Sequence, residues 1–200
     1  MLLAPLARAA EPMPTSRTVS VSSSGYGYHD AGDAETEVYA AFLEKNFKAP
    51  KNDGPQARNA ILVENESVDA WLKNRRAWES YLVQRITGPG RASNDCMRAF
   101  LLRPQQVLRF YSFPATKHTL KFVRSDELLK TLAHGWDAFY EAYPGSNGFL
   151  SFGVIGWSPD HSEALFTVHS QCGRKCGYRD IVYMQRINGN WEIVIKEPLP

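Results

Sequence analysis

The stretch 148–197 constrains the fold of this chain more than any other. Four apolar runs, 149–156, 164–170, 180–187 and 191–197, alternate with turn-forming segments. The last turn is Asn188-Gly189-Asn190. Asn-Gly between apolar runs is the strongest short hairpin signal, because both residues accept positive φ. The turn before it carries Cys172-Gly173-Arg174-Lys175-Cys176. A chain that ends this way builds an antiparallel meander.

Three helical patterns precede the meander. Asp33 can cap a helix running to Phe47, with Ala34, Val38, Ala41 and Phe42 on one face. Ser67 can cap a second, in which Val68, Trp71, Leu72, Trp78, Leu82 and Ile86 recur at helical spacing. Ser125-Asp126-Glu127 opens a third, whose apolar face is Leu128, Leu132, Trp136, Phe139, Tyr140 and Tyr143. Tyr143-Pro144-Gly145 closes it. Short strands are predicted at 59–64, 106–112 and 118–123, the last two pairing with each other. Residues 91–105 show no clear period. The expected class is α+β: about three helices on one face of a curved antiparallel sheet that ends in a four-stranded meander. Trp191, Ile193 and Ile195 should share a face, with Trp191 buried near Trp136 and Phe139.

The 200 residues are 44% hydrophobic and 12% aromatic, enough for one domain with a sizeable core, placed at 33–200. Residues 11–32 hold Pro12, Pro14, a serine run and Gly25, Gly27 and Gly32, the composition of a linker. Residues 1–10 read as a truncated signal peptide, with Ala7-Arg8-Ala9 in the small-x-small pattern of a cleavage site. The expected location is the periplasm or outside the cell. A net charge of +2 offers no basic field for nucleic acid. Lys73, Arg75 and Arg76 read as a solvated helix face. No run approaches the ~20 apolar residues of a membrane-spanning helix.

Cys172 and Cys176 flank a turn, and in an oxidising compartment such a pair forms a disulfide. Two inert thiols, or a metal site completed by His169, are the alternatives at this spacing. Cys96 reads as a buried free thiol. Asp160-His161 is an acid/base pair on paper and ordinary turn chemistry in practice. No metal, cofactor or catalytic motif is recognisable, and the reading leans away from an enzyme.

Residues 136–197 resemble an uncharacterised family of exported bacterial proteins. The resemblance rests on Tyr143-Pro144-Gly145-Ser146-Asn147-Gly148, Ala164-Leu165-Phe166-Thr167-Val168, Cys172-Gly173-Arg174-Lys175-Cys176-Gly177 and Asn188-Gly189-Asn190-Trp191. Gly153-Val154 stand where that family often has Ser-Arg. A weaker similarity, through the Asn-Gly-x-Trp hairpin, is to nuclear-transport-factor-2-like domains, and implies a cone-shaped sheet with helices across its mouth. Two functions follow as expectations. The first is an exported, non-enzymatic binding or inhibitory (immunity-type) domain that meets a protein partner in the cell envelope through Arg174, Lys175, Tyr178 and Arg179. The second is a small-ligand-binding or hydrolytic domain with its site inside the curved sheet. A cleft with convergent polar groups would favour the second.

Overall fold

The computed structural model describes residues 27–47, 60–66, 75–87, 90–103, 106–114 and 116–199. The signal-like residues 1–10, linker residues 11–26, the Ser67 cap, Trp71 and Leu72 lie outside the described residues. Within the expected linker, β1 (Gly27–Asp30) forms a strand and pairs in parallel with β3 (Gln106–Arg109) as a small separate sheet.

The class is α+β. The main sheet has seven strands, six of them in the order β4 (Thr119–Val123), β2 (Ala60–Glu64), β5 (Ser146–Phe152), β7 (Glu163–Gly173), β8 (Cys176–Ile187) and β9 (Asn190–Pro198). The short β6 (Gly156–Trp157) pairs with β7. From β5 to β9 every neighbour is antiparallel, which is the expected four-stranded end. Asn188 and Gly189 both take positive φ in its last turn. The other end differs from expectation. β2 lies between β4 and β5 and is parallel to both, so the sheet is mixed. The strand at 118–123 therefore pairs with β2 rather than with 106–112.

Parallel neighbours need a crossover connection. The chain from β4 to β5 supplies one through α4 (Ser125–Ala133) and α5 (Trp136–Ala142). These two helices replace the single helix expected over this stretch. The break is at Gly135, whose φ of 98° ends α4 and turns the chain into α5.

Helices cover both faces of the sheet, where the sequence pointed to one. The reason lies in β7 and β8, which read Ala164-Leu165-Phe166 and Ile181-Val182-Tyr183-Met184. A strand apolar on alternate and intervening positions needs cover on both sides. On the first face, α1 (Asp33–Asn46) sets Val38, Tyr39, Phe42 and Leu43 against Phe152, Phe166, Val182 and Met184. The rings of Tyr39 and Phe166 meet edge to face with centroids 5.3 Å apart. The Tyr39 hydroxyl donates to Gly153 O at 2.8 Å. On the second face, α2 (Arg75–Ile86) and α3 (Asn94–Leu102) cover Leu165, Ile181 and Tyr183. The α4–α5 pair covers Leu62, Val123 and Phe149 at the other end of that face.

The segment 91–105, without a clear period in sequence, holds α3. Ser93 caps it by accepting from Cys96 N, and donates its own hydroxyl to Glu163 Oε2 at 2.6 Å. Trp191 is buried, as expected, but beside Trp157, centroids 5.9 Å apart, on the first face. Trp136 and Phe139 belong to the cluster on the second face. A register shift where Tyr183 and Met184 meet Ile195 and Ile193 adds one residue to β9. It sends Ile193 to the first face with Trp191 and Ile195 to the second.

Candidate functional site

Two helix pairs share the second face and leave the sheet between them uncovered by either cluster. One row of side chains crosses four strands there. Val63 of β2 is paired with Leu150 of β5, so Glu64 lies beside Ser151. Ser151 is paired with His169 of β7, and His169 with Arg179 of β8. The order across the sheet is Glu64, Ser151, His169, Arg179, an acid at one end and a base at the other. Strands are spaced by about 4.8 Å, so the backbones of Glu64 and Arg179 lie about 14 Å apart.

The row floors a cleft of about 240 Å³. Phe149, Thr167 and Gln171 extend the floor, and α4 supplies a wall of Leu128, Leu129 and Leu132. α4 stands there because it is part of the crossover from β4 to β5. Leu129 is 66% exposed, a large apolar side chain turned to the open edge of a polar floor.

The Ser151 hydroxyl donates to the Glu64 carboxylate. His169 Nδ1 lies 3.3 Å from Gln171 Nε2. An amide nitrogen only donates, so Nδ1 accepts and the neutral ring carries its proton on Nε2. Burial pushes the His169 pKa below its ordinary value, and the Arg179 charge pushes it further the same way. The ring is therefore a neutral donor at physiological pH. The Arg179 guanidinium makes no hydrogen bond or ion pair with any described residue. The half-buried end of the row thus holds unspent N–H donors next to an apolar wall.

This arrangement can bind, and it does not lay out a nucleophile relay. In a relay the hydroxyl faces a base that a third group orients. Here the Ser151 hydroxyl donates a hydrogen bond to Glu64 rather than to His169, and the contact of His169 Nδ1 is with the Gln171 amide.

The predicted recognition residues part company at the β7–β8 end. Cys172 and Cys176 lie at disulfide distance, with Cα atoms 5.0 Å apart. Arg174 and Lys175 form the whole connection between the two strands and are exposed. Tyr178 pairs with Ser170, on the first face, and Lys196 Nζ sits 5.2 Å above its ring. Arg179 lines the cleft on the second face. The strand period of two is what divides these neighbours. Tyr140 ties the clasp to α5 by donating to Cys172 O at 3.0 Å.

The remaining candidates have structural surroundings. The Cys96 thiol is buried and contacts Gly156 O at 3.4 Å. Burial, then the Glu163 charge, pushes its pKa up to about 12. Asp160 accepts from the Ser158 hydroxyl at 2.7 Å and the Ser162 hydroxyl at 2.8 Å, which hold its pKa down to about 2. The ring of His161 stacks on Trp157, centroids 4.9 Å apart. Asp160-His161 is therefore a braced turn. With its sulfurs facing each other, the Cys172–Cys176 pair does not form a ligand set with His169, and no group of three or more metal-ligating side chains stands together among the described residues.

Sequence reasoning missed Glu64, Ser151, Gln171 and His169 as a group. The available signal was polar residues at alternate positions 167, 169 and 171 of β7. The chain matches no family model, no curated protein and no solved structure.

Proposed function

We propose that this chain is an exported, non-enzymatic binding domain that takes a small ligand in the cleft above the Glu64–Arg179 row. The unpaired Arg179 guanidinium carries this reading. A half-buried charge without a partner is unfavourable in an empty site, and a ligand that pairs it removes that penalty. Convergent polar groups beside an apolar wall are the usual make-up of a ligand pocket. The Ala7-Arg8-Ala9 pattern and the cysteine clasp support export. Among the described residues no helix is long and apolar enough to cross a membrane. Mass spectrometry of protein from a cell-envelope fraction should find a mature terminus near Ala10 or Glu11. Intact Met1 confined to cytosol would exclude export.

A fragment screen by amide NMR tests the ligand reading. Fragments should shift the amides of Ser151, His169 and Arg179 and leave those of Arg174 and Lys175 in place. Hits that avoid the cleft would overturn it. One observation favours a second reading, an inhibitory or immunity-type domain with a protein partner. Arg174 and Lys175 project from a clasped, narrow hairpin, and exposed cations there raise association rates with an acidic surface. Capture of an envelope protein that is lost with the Arg174→Ala, Lys175→Ala pair but kept with Arg179→Ala supports that reading. Equal capture by all forms removes the hairpin tip as an interface.

A further inference from the structure

We propose that the ligand of this cleft is a small carboxylate with a short apolar tail, its head held by Arg179 and the Nε2–H of His169 and its tail laid along Leu128, Leu129 and Leu132. The inference rests on the reading of the cleft as a ligand site and adds the chemical class.

Three observations carry it. The first is donor geometry. His169 and Arg179 are paired across β7 and β8 on one face. The imidazole presents one N–H, because Gln171 occupies its other nitrogen. The guanidinium presents a planar fork with no acceptor among the described residues, and such a fork matches a carboxylate bidentately. The unspent groups of His169 and Arg179 are both N–H donors, so the head that meets these two residues is an acceptor.

The second is charge. One unpaired guanidinium balances one negative charge. A phosphate would bring a second, and among the described residues no further cation and no helix N-terminus lines the cleft. The carboxylate of Glu64 lies at the far end of the row, already engaged by Ser151. Its backbone is about three strand spacings from that of Arg179, so a head on Arg179 stays clear of it. The charged groups facing His169 are Arg179 from β8 and Glu64 from β2, while α4 turns only leucines to the cleft.

The third is the wall and its size. Leu129 is 66% exposed, beside Leu128 and Leu132, and an apolar tail would cover it. A cleft of about 240 Å³ is small for a ligand site and suits a short chain or a single ring.

The experiment is calorimetric titration of the full chain with octanoate, octanol, octyl phosphate and octyltrimethylammonium, with His169 ring signals followed by NMR. Octanoate should bind tightest of the four and raise the His169 pKa, because a bound anion stabilises the imidazolium. Arg179→Gln should weaken octanoate by about tenfold or more, the loss of a charge-assisted hydrogen-bonded pair, with a urea midpoint no lower than that of the wild type. Arg179→Lys should recover part of that loss, and Leu129→Ser should weaken octanoate and octanol alike. Octanol or octyltrimethylammonium binding as tightly as octanoate would overturn the anionic head and leave the cleft as a ligand site. Octyl phosphate binding more tightly would reassign the head to phosphate. Octanoate that fails to bind, or binds Arg179→Gln equally well, overturns the inference, whereas only the absence of any fragment in the cleft removes the underlying reading.

Discussion

At the scale of single residues, Gly156 and Cys96 show how closely α3 sits on the sheet. A Cβ on Gly156 would run into the backbone of Phe100. Its φ lies outside the left-handed region, so the requirement is space rather than conformation. Gly156→Ala should lower stability by about 1–3 kcal/mol, the range for overpacking, measured as a shift in urea midpoint at constant m-value. Cys96 lies in the same contact. A buried thiol with a pKa near 12 holds almost no thiolate at neutral pH. Iodoacetamide should therefore leave Cys96 unmodified in the native chain and label it in urea. Trp191 is 5% exposed and packs against Trp157. Trp191→Ala should cost about 3–5 kcal/mol, and a midpoint that barely moves would show that the ring is not core.

At the scale of elements, the clasped β7–β8 hairpin and the α4–α5 crossover define the site between them. The closed loop of the clasp is short, and loop entropy alone assigns it about 2 kcal/mol. Cys172→Ser with Cys176→Ser should lose about that much by urea unfolding while near-UV circular dichroism stays native. The small loss is expected because the paired strands β7 and β8 already bring the two cysteines together. Most strands and helices are legible in the sequence, but β1 falls in the stretch that reads as a linker. The Asn-Gly turn, the β7–β9 runs and the span of α1 appear where the sequence places them, while the buried face of α1 also takes in Tyr39 and Leu43. The α4–α5 break was less legible, because Gly135 inside a helical period reads as tolerated until the crossover forces a turn there. The helix α3 was obscured because its apolar face is only a few residues long, and its cap is shared with Glu163, far away in sequence.

For the whole molecule, the site gives folding a pH dependence. The folded state holds His169 with a pKa below its ordinary 6.5, so the unfolded chain binds the proton more readily. Stability then rises with pH across the window between the two values. It is fully present above about 6.5 and is lost as pH falls through the lower folded value. Urea midpoints should decline over that window in the wild-type chain, and His169→Gln should flatten the decline. Arg179 and Glu64 are the charges facing the ring, so Arg179→Gln should flatten it in part. A slope that survives His169→Gln unchanged would place the titrating group elsewhere.

What the sequence determined by itself is local. Periods of two and of three to four residues, turn chemistry and cysteine spacing depend on neighbours in the chain, and they specified the meander, the clasp and the α+β class. Tertiary structure decided what depends on pairing between distant strands. It placed β2 between β4 and β5, put helices on both faces and shifted β9 by a bulge. The candidate site is of this second kind: Glu64, Ser151, His169 and Arg179 come from four strands, and register alone sets them in one row. No sequence period can express that register, because strand order and crossover topology are chosen by burial of the two apolar faces over the whole sheet.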